Sequence, residues 1–240
     1  VLELHNVTKR YAGKTAVHNL DLKVTPGKIF GFLGPNGAGK STTIKMITGI
    51  LPVDAGSISI NGKDIEKDAL EAKREFGYVP DTSDSFLRLK GREYLEFIAD
   101  IYDVPEEVRE ERLARYASLL QLNEALEDKL HTYSHGMRQK IVLLGVLIHQ
   151  PDVWILDEPL TGLDPKSANV LKELMREQAD AGKIVFFSSH VLEVVEQLCD
   201  EVAIIDEGSL RFQGEMSDMR QEFQEGRNLE SLFLELTNDA

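Results

Sequence analysis

Eight residues near the start of the chain, Gly34-Pro35-Asn36-Gly37-Ala38-Gly39-Lys40-Ser41, satisfy the pattern G-x-x-x-x-G-K-[ST] at every specified position. Glycines at these places let the backbone curl with successive N–H groups pointing inward. A helix starting there adds its positive end to the same spot. The chemistry this serves is polyphosphate binding, with Lys40 neutralising the terminal phosphates and the Ser41 hydroxyl ligating Mg2+. The surroundings agree. Ile29 to Leu33 is a short apolar run of buried-strand type, and Thr42-Thr43-Ile44-Lys45-Met46-Ile47 continues the loop as a helix, with Thr42 in its first turn.

A second constellation lies far downstream. Val153-Trp154-Ile155-Leu156 is an apolar strand that ends in two acids, Asp157-Glu158, before Pro159. A buried parallel strand delivers Asp157 to the carboxyl end of the sheet beside the phosphate loop, where it can hold the Mg2+ shell. Glu158 then falls where an attacking water would sit, which makes it the candidate general base.

The elements that must position these groups follow from the pattern of the chain. Val1 to Val7 and Asn19 to Val24 alternate apolar and polar residues, as strands with one buried face do, and Ser57 to Ile60 enters a tight turn at Asn61-Gly62. From about Gly91 to His149 the character changes to charged helices of 3.6 period. Tyr94, Leu95, Ile98 and Tyr102 are expected on one buried face, and Leu113, Tyr116, Leu119 and Leu120 on another. After Pro151 buried-strand runs return at 153–156, 184–187 and 201–205, with an amphipathic segment from Ser167 to Ala181 between the first two. Strands alternating with helices imply an α/β fold, a mostly parallel sheet covered on both faces, with the helical middle as an inserted subdomain. The expected division is a core of 1–88 and 150–213, a helical subdomain of 89–149 and a helical tail of 214–240 carrying Leu229, Leu232, Phe233 and Leu236.

Composition narrows the function classes. The chain has 240 residues, 27 basic against 41 acidic, a net charge of −14. With 42% hydrophobic and 28% charged residues it reads as an ordinary globule of one domain or one with a subdomain, not as a disordered or collagen-like chain. The acid excess argues against a general nucleic-acid or anionic-membrane face, so no nucleic-acid partner is expected. The single cysteine, Cys199, leaves no intrachain disulfide or thiolate-rich metal site and reads as a buried thiol. The longest apolar run, Ile141 to Ile148, falls well short of the ~18 residues that span a bilayer. No signal peptide is visible at Val1-Leu2-Glu3-Leu4-His5, so a cytoplasmic location is expected.

Tyr133-Ser134-His135-Gly136-Met137-Arg138-Gln139-Lys140 separates the possible ATPases. It resembles the L-S-G-G-Q signature of the nucleotide-binding subunit of an ABC transporter, of the bacterial export type, and the resemblance covers nearly the whole chain. Ser134 is a natural N-cap for the apolar helix that follows. The family implies a P-loop NTPase (RecA-like) fold with an N-terminal antiparallel β subdomain. It also implies ATP and Mg2+ as ligands, and two cassettes closing head-to-tail, so that Ser134, His135, Gly136 and Met137 face the ATP of the other copy. Thr161-Gly162-Leu163-Asp164 resembles the loop whose Asp lies at the dimer interface. In Phe186-Phe187-Ser188-Ser189-His190, His190 is implied to contact the γ-phosphate and orient water, and Tyr11 resembles the aromatic that stacks on adenine.

The implied partners are an integral membrane permease and a second cassette, identical or paralogous, which would hold the chain at the inner face of the cell membrane. The tail leans towards efflux. Three positions depart from the family: Asp81 stands where a Gln usually touches Mg2+ or water, His135 where Gly is usual, and Met137 where Gln is usual. A carboxylate at 81 can still accept from a metal-bound water but has lost the amide donor. The region from Asp81 to Leu89, with Phe86 and Leu87, is the expected permease-docking surface. A soluble ATPase of the same class acting on nucleic acid or ribosomes is the rival. A GTPase is disfavoured because Asn61-Gly62-Lys63-Asp64 has the wrong order for N-K-x-D and reads as a turn.

Overall fold

The computed structural model describes residues 1–82, 84–218 and 229–238. Two sheets organise them. Strands β1 (Leu2–Tyr11), β2 (Lys14–Val24), β4 (Ala55–Ile60) and β5 (Lys63–Asp64) form an antiparallel sheet in the order β2-β1-β4-β5. The second sheet contains β3 (Lys28–Leu33), β6 (Phe76–Val79), β7 (Val153–Leu156), β8 (Ile184–Ser189), β9 (Glu201–Asp206) and β10 (Ser209–Glu215), in the order β10-β9-β3-β8-β7-β6. All its pairings are parallel except β10, which runs antiparallel to β9. The Asn61-Gly62 turn between β4 and β5 has positive φ at both residues (50° and 79°), as a two-residue hairpin of matching twist requires.

The central sheet divides the interior in two, and the period-2 alternation of its strands does the dividing. Ile29, Leu33, Trp154, Leu156, Val185 and Phe187 point into one core, shared with the helical subdomain. Phe30, Phe32, Val153, Ile155, Ile184 and Phe186 point into the other, shared with the antiparallel sheet and helix α1 (Lys40–Ile47). Strands covered on both faces need continuous apolar runs, which is what β7 and most of β8 supply. In the second core the Phe30 and Phe186 rings stack at 5.6 Å.

Helix α2 (Ala69–Arg74) leads into β6; α3 (Gly91–Ile101), α4 (Glu106–Leu119) and α5 (His135–His149) make the inserted helical part; α6 (Pro165–Asp180) and α7 (Leu192–Leu198) join the later strands; α8 (Leu229–Asn238) follows them. One expected buried position is wrong. Leu113, Tyr116 and Leu120 fall on one face of α4 and are buried, whereas Leu119 is 39% exposed, because one residue of helix turns it about 100° away from Leu120. The segment expected to begin at Ser167 starts two residues earlier, at Pro165, with Asp164 as its cap. Of the expected helical tail, 214–215 end β10, 216–218 are helical, 219–228 and 239–240 lie outside the described residues, and 229–238 form α8, where Phe233 and Leu236 pack on the core; the side chains of Leu229 and Leu232 also lie outside the described residues. Cys199 is buried beside Gly31 of β3, and burial pushes its thiol far above the ordinary range.

Candidate nucleotide site

The phosphate loop sits at the carboxyl end of β3, and α1 starts inside it at Lys40. Two of its glycines are fixed by close approach. A Cβ at Gly34 would lie 2.3 Å from the Ile205 carbonyl oxygen. One at Gly39, where φ is +109°, would lie 2.7 Å from that of Ala16. Lys40 is 6% exposed and folds back, its Nζ donating to the carbonyls of Gly34 (2.6 Å) and Pro35 (3.1 Å). Burial holds its ammonium below the ordinary lysine range, against the pull of Glu158 and Asp157. A phosphate held in the loop would supply the countercharge that this burial calls for.

Asp157 emerges from β7 almost wholly buried, at 2% exposure, and its Oδ1 lies 3.5 Å from the Ser41 Oγ and accepts from the Ser188 Oγ at 2.6 Å. Glu158 follows with φ +48°, a left-handed conformation unusual for a residue with a side chain. Its N–H donates to the Ser188 Oγ at 3.0 Å, and its Oε2 lies 3.0 Å from the His190 Nδ1. The two acids after β7 thus lie beside His190, the residue that follows β8.

A cleft of about 800 Å3 opens over the loop, lined by Tyr11, Asn36 to Thr42 and Glu158. Tyr11 is 44% exposed at the end of β1, presenting a ring at the mouth. Sequence reasoning missed part of this wall. Lys14, Thr15 and Ala16 of β2 and Asp206, Glu207 and Gly208 of the β9–β10 turn also line it. Gly208 ties the wall together, its N–H donating to the Ala38 carbonyl and its own carbonyl accepting from His18, each at 2.8 Å. A buried strand ending in Asp-Glu-Gly was the available signal for that turn.

The signature residues do not line this cleft. Ser134 caps α5, its Oγ accepting from the Met137 N–H at 3.2 Å, and Ser134 and His135 are exposed. The His135 ring lies against Gly162, so close that a Cβ there would be 2.6 Å from its Cδ2. Asp164 is turned to local use. It caps α6 by accepting from the Ser167 N–H (2.9 Å) and pairs with the Lys140 ammonium (3.3 Å), and the Ser167 hydroxyl and amide together hold its carboxyl far below the usual range. Asp164-Pro165 followed by Ser167 was a legible helix start. Asp81 is exposed just beyond β6. Burial, together with the charges of Asp157 and Asp81, raises the Tyr78 phenol far above its ordinary value.

Oxygen donors suit Mg2+, and Ser41 and Asp157 supply two of them side by side at the loop. Among the described residues no group of three or more His, Cys, Asp or Glu could hold a metal by itself. Nor, among the described residues, is any helix long and apolar enough to cross a membrane.

Comparison with known proteins agrees with this geometry. A family model described as ABC transporter matches residues 17–161, more than half of the chain. The linearmycin resistance ATP-binding protein LnrL of Bacillus subtilis (strain 168) is 37% identical over 219 residues, 91% of this chain and 70% of that protein. The Nod factor export ATP-binding protein I of Burkholderia orbicola (strain AU 1054) is 34% identical over 207 residues, 86% of this chain and 68% of that protein. A solved structure described as the ATP-binding subunit of an ABC transporter superposes with a TM-score of 0.93 at 32% identity, over 98% of this chain and 99% of that one. The chain belongs to the ABC transporter family and is an ATP-binding, ATP-hydrolysing subunit of that class.

Proposed function

We propose that two such cassettes, this chain with a second copy or a paralogue, close head-to-tail over two ATP molecules beneath a separate membrane permease and drive efflux. The contact that carries the hydrolytic reading is Glu158, with its carboxylate against His190 and its main chain locked beside Asp157. Phosphoryl transfer asks a protein mainly for positioning and charge stabilisation. Backbone N–H groups of the loop between Asn36 and Gly39 and the Lys40 ammonium receive the β- and γ-phosphates. Glu158 takes the proton from the water that attacks the γ-phosphorus, and His190 holds that carboxylate and reaches the same phosphate. Ser41 and Asp157 would hold Mg2+, with Asp81 as a further oxygen donor towards it, and the ion would supply neutralising charge to the phosphates. Tyr11 stacks on the adenine.

The exposed, capped start of α5, Ser134 to Met137, supports a role outside its own cleft. A helix N-terminus with unpaired N–H groups receives an anion, and the second cassette's γ-phosphate is that anion. Asp164 and the Gly162 loop, packed against His135, would then lie at the same interface. A permease partner is supported by an apolar groove of about 390 Å3 between the nucleotide-binding core and the helical subdomain, lined among others by Ile50, Tyr78, Phe86 and Tyr94, with Phe86 48% exposed. Export is supported by the relatives named for resistance and export, and attachment at the inner membrane face follows from the permease. Glu158→Gln is the test: it should bind ATP with unchanged affinity and lose turnover by ~10²-fold or more. Undiminished turnover would remove Glu158 as the base.

A further inference from the structure

Ser188 lies in β8, wholly buried in a strand that is otherwise apolar up to Phe187. A buried hydroxyl needs partners, and this one has two, both in the catalytic strand-to-loop junction next door. It donates to the Asp157 Oδ1 at 2.6 Å and accepts from the Glu158 N–H at 3.0 Å. The direction of the relay is fixed by its ends. The ionised carboxylate can only accept and the amide can only donate, so the single hydroxyl proton must point at Asp157.

We infer that Ser188 is a positioning residue for hydrolysis: its hydroxyl locks Asp157 toward the metal shell and pins Glu158 in the left-handed conformation that aims its carboxylate. This rests on the roles proposed above for Asp157 and Glu158. The geometry makes β8 a clamp with two jaws. The parallel register Leu156↔Phe187 puts Asp157 and Ser188 level with each other, so Ser188 reaches the backbone of Glu158. Two residues later His190 meets its carboxylate. The φ of +48° at Glu158 is a conformation that a side chain disfavours, and it persists only where surrounding bonds over-determine it. Remove the hydroxyl, and the Glu158 N–H loses this acceptor while Asp157 loses its shortest donor. Among the described residues, the Ser41 hydroxyl, 3.5 Å away, is then the side-chain group left on that oxygen. Both acids gain freedom, while the loop that binds the phosphates, on β3 and α1, is untouched.

The test compares Ser188→Ala with Ser188→Thr, which restores a hydroxyl at the cost of a methyl group, and with Glu158→Gln as control. Three readouts separate positioning from loss of fold: fluorescent ATP-analogue binding without divalent metal, Mn2+ titration of the nucleotide complex followed by EPR, and steady-state turnover. Ser188→Ala should keep metal-free nucleotide affinity within about twofold and unfold as one cooperative transition. Its Mn2+ half-saturation should rise about tenfold and its kcat fall about 10- to 100-fold at nearly constant KM, the scale of one lost hydrogen bond to a charged group. Ser188→Thr should recover most of both. Wild-type kcat and Mn2+ half-saturation in Ser188→Ala would overturn the inference, as would an equal loss of metal-free nucleotide affinity or a threonine variant that folds without rescue. The control keeps the two ideas apart. If Glu158→Gln is inactive and Ser188→Ala is not, the inference fails alone; if Glu158→Gln turns over normally, the reading of Glu158 fails first.

Discussion

Two glycines of the phosphate loop, two residues apart, should respond very differently to the same substitution. Gly37 and Gly39 both have φ in the left-handed half of the map, +84° and +109°, so alanine at either place costs about 1 to 2 kcal/mol in backbone conformation. Around Gly37 an added Cβ meets nothing within 4 Å. At Gly39 it would sit 2.7 Å from the Ala16 carbonyl and within 3.5 Å of the Gly208 Cα, main-chain atoms that cannot swing aside as a side-chain end would. Overpacking of that kind adds roughly 1 to 3 kcal/mol. At about 2 to 4 °C per kcal/mol for a chain of this size, Gly37→Ala should lower Tm by ~2–8 °C and Gly39→Ala by ~4–20 °C. The loss at Gly39 should reach the site as well, because Ala16 and Gly208 are walls of the nucleotide cleft. Calorimetry of the nucleotide-free proteins, with ATP-analogue titrations, reads both effects. Equal Tm shifts in the two variants, or a larger one at Gly37, would refute the close approach of loop, β2 and the β9–β10 turn.

Tyr11→Ala should weaken ATP binding about tenfold, since base stacking on an aromatic ring contributes roughly 1 to 3 kcal/mol and this ring is partly exposed; Tyr11→Phe should not, and isothermal titration decides it. Asp200 is pulled two ways. Burial raises its pKa, but the two hydrogen bonds from Arg176 and one from the Ile29 amide outweigh it, and the net direction is down. A carboxylate depressed in the folded state stabilises above its unfolded pKa of about 4 and loses that contribution as pH falls through the folded value. The stability gap between wild type and Arg176→Gln, measured by urea unfolding, should therefore be full at pH 6 and shrink as the pH falls below about 4. A gap that stays constant through that range contradicts the assignment. Phe86→Asp should abolish co-purification with the permease while leaving ATP binding intact; loss of both together would count against the groove as a docking surface.

What the sequence made legible was contiguous. The phosphate loop, the acidic pair after β7 and the serine cap of α5 each lie within eight residues, and each element around them carried its own period and punctuation. The parts that escaped depend on which strands are neighbours. Ser188 reads as one more residue of an apolar strand until the register of β7 with β8 brings it level with Asp157. Lys14 to Ala16 and Asp206 to Gly208 are nearly two hundred residues apart in sequence and become one wall only because the β9–β10 turn folds over the loop. Leu119 failed for a local reason, since it lies about 100° round the helix from Leu120, at the edge of the face that Leu113, Tyr116 and Leu120 share. Asp164 illustrates a competing use. The resemblance pointed to an interface, whereas the chain's own chemistry, an acid before Pro165, caps a helix, and the side chain is half exposed while doing so.

The head-to-tail site is the claim on which the rest depends, because within one chain Ser134 to Met137 do not reach the cleft that holds ATP. Sedimentation velocity of Glu158→Gln tests it most directly. Alone, the protein should sediment near its chain mass of 26.9 kDa. With ATP it should shift to roughly twice that mass, as a two-fold dimer does, and adding Ser134→Arg to the same chain should block the shift while leaving ATP bound. A strictly monomeric, ATP-loaded Glu158→Gln, or a dimer indifferent to arginine at Ser134, would contradict it.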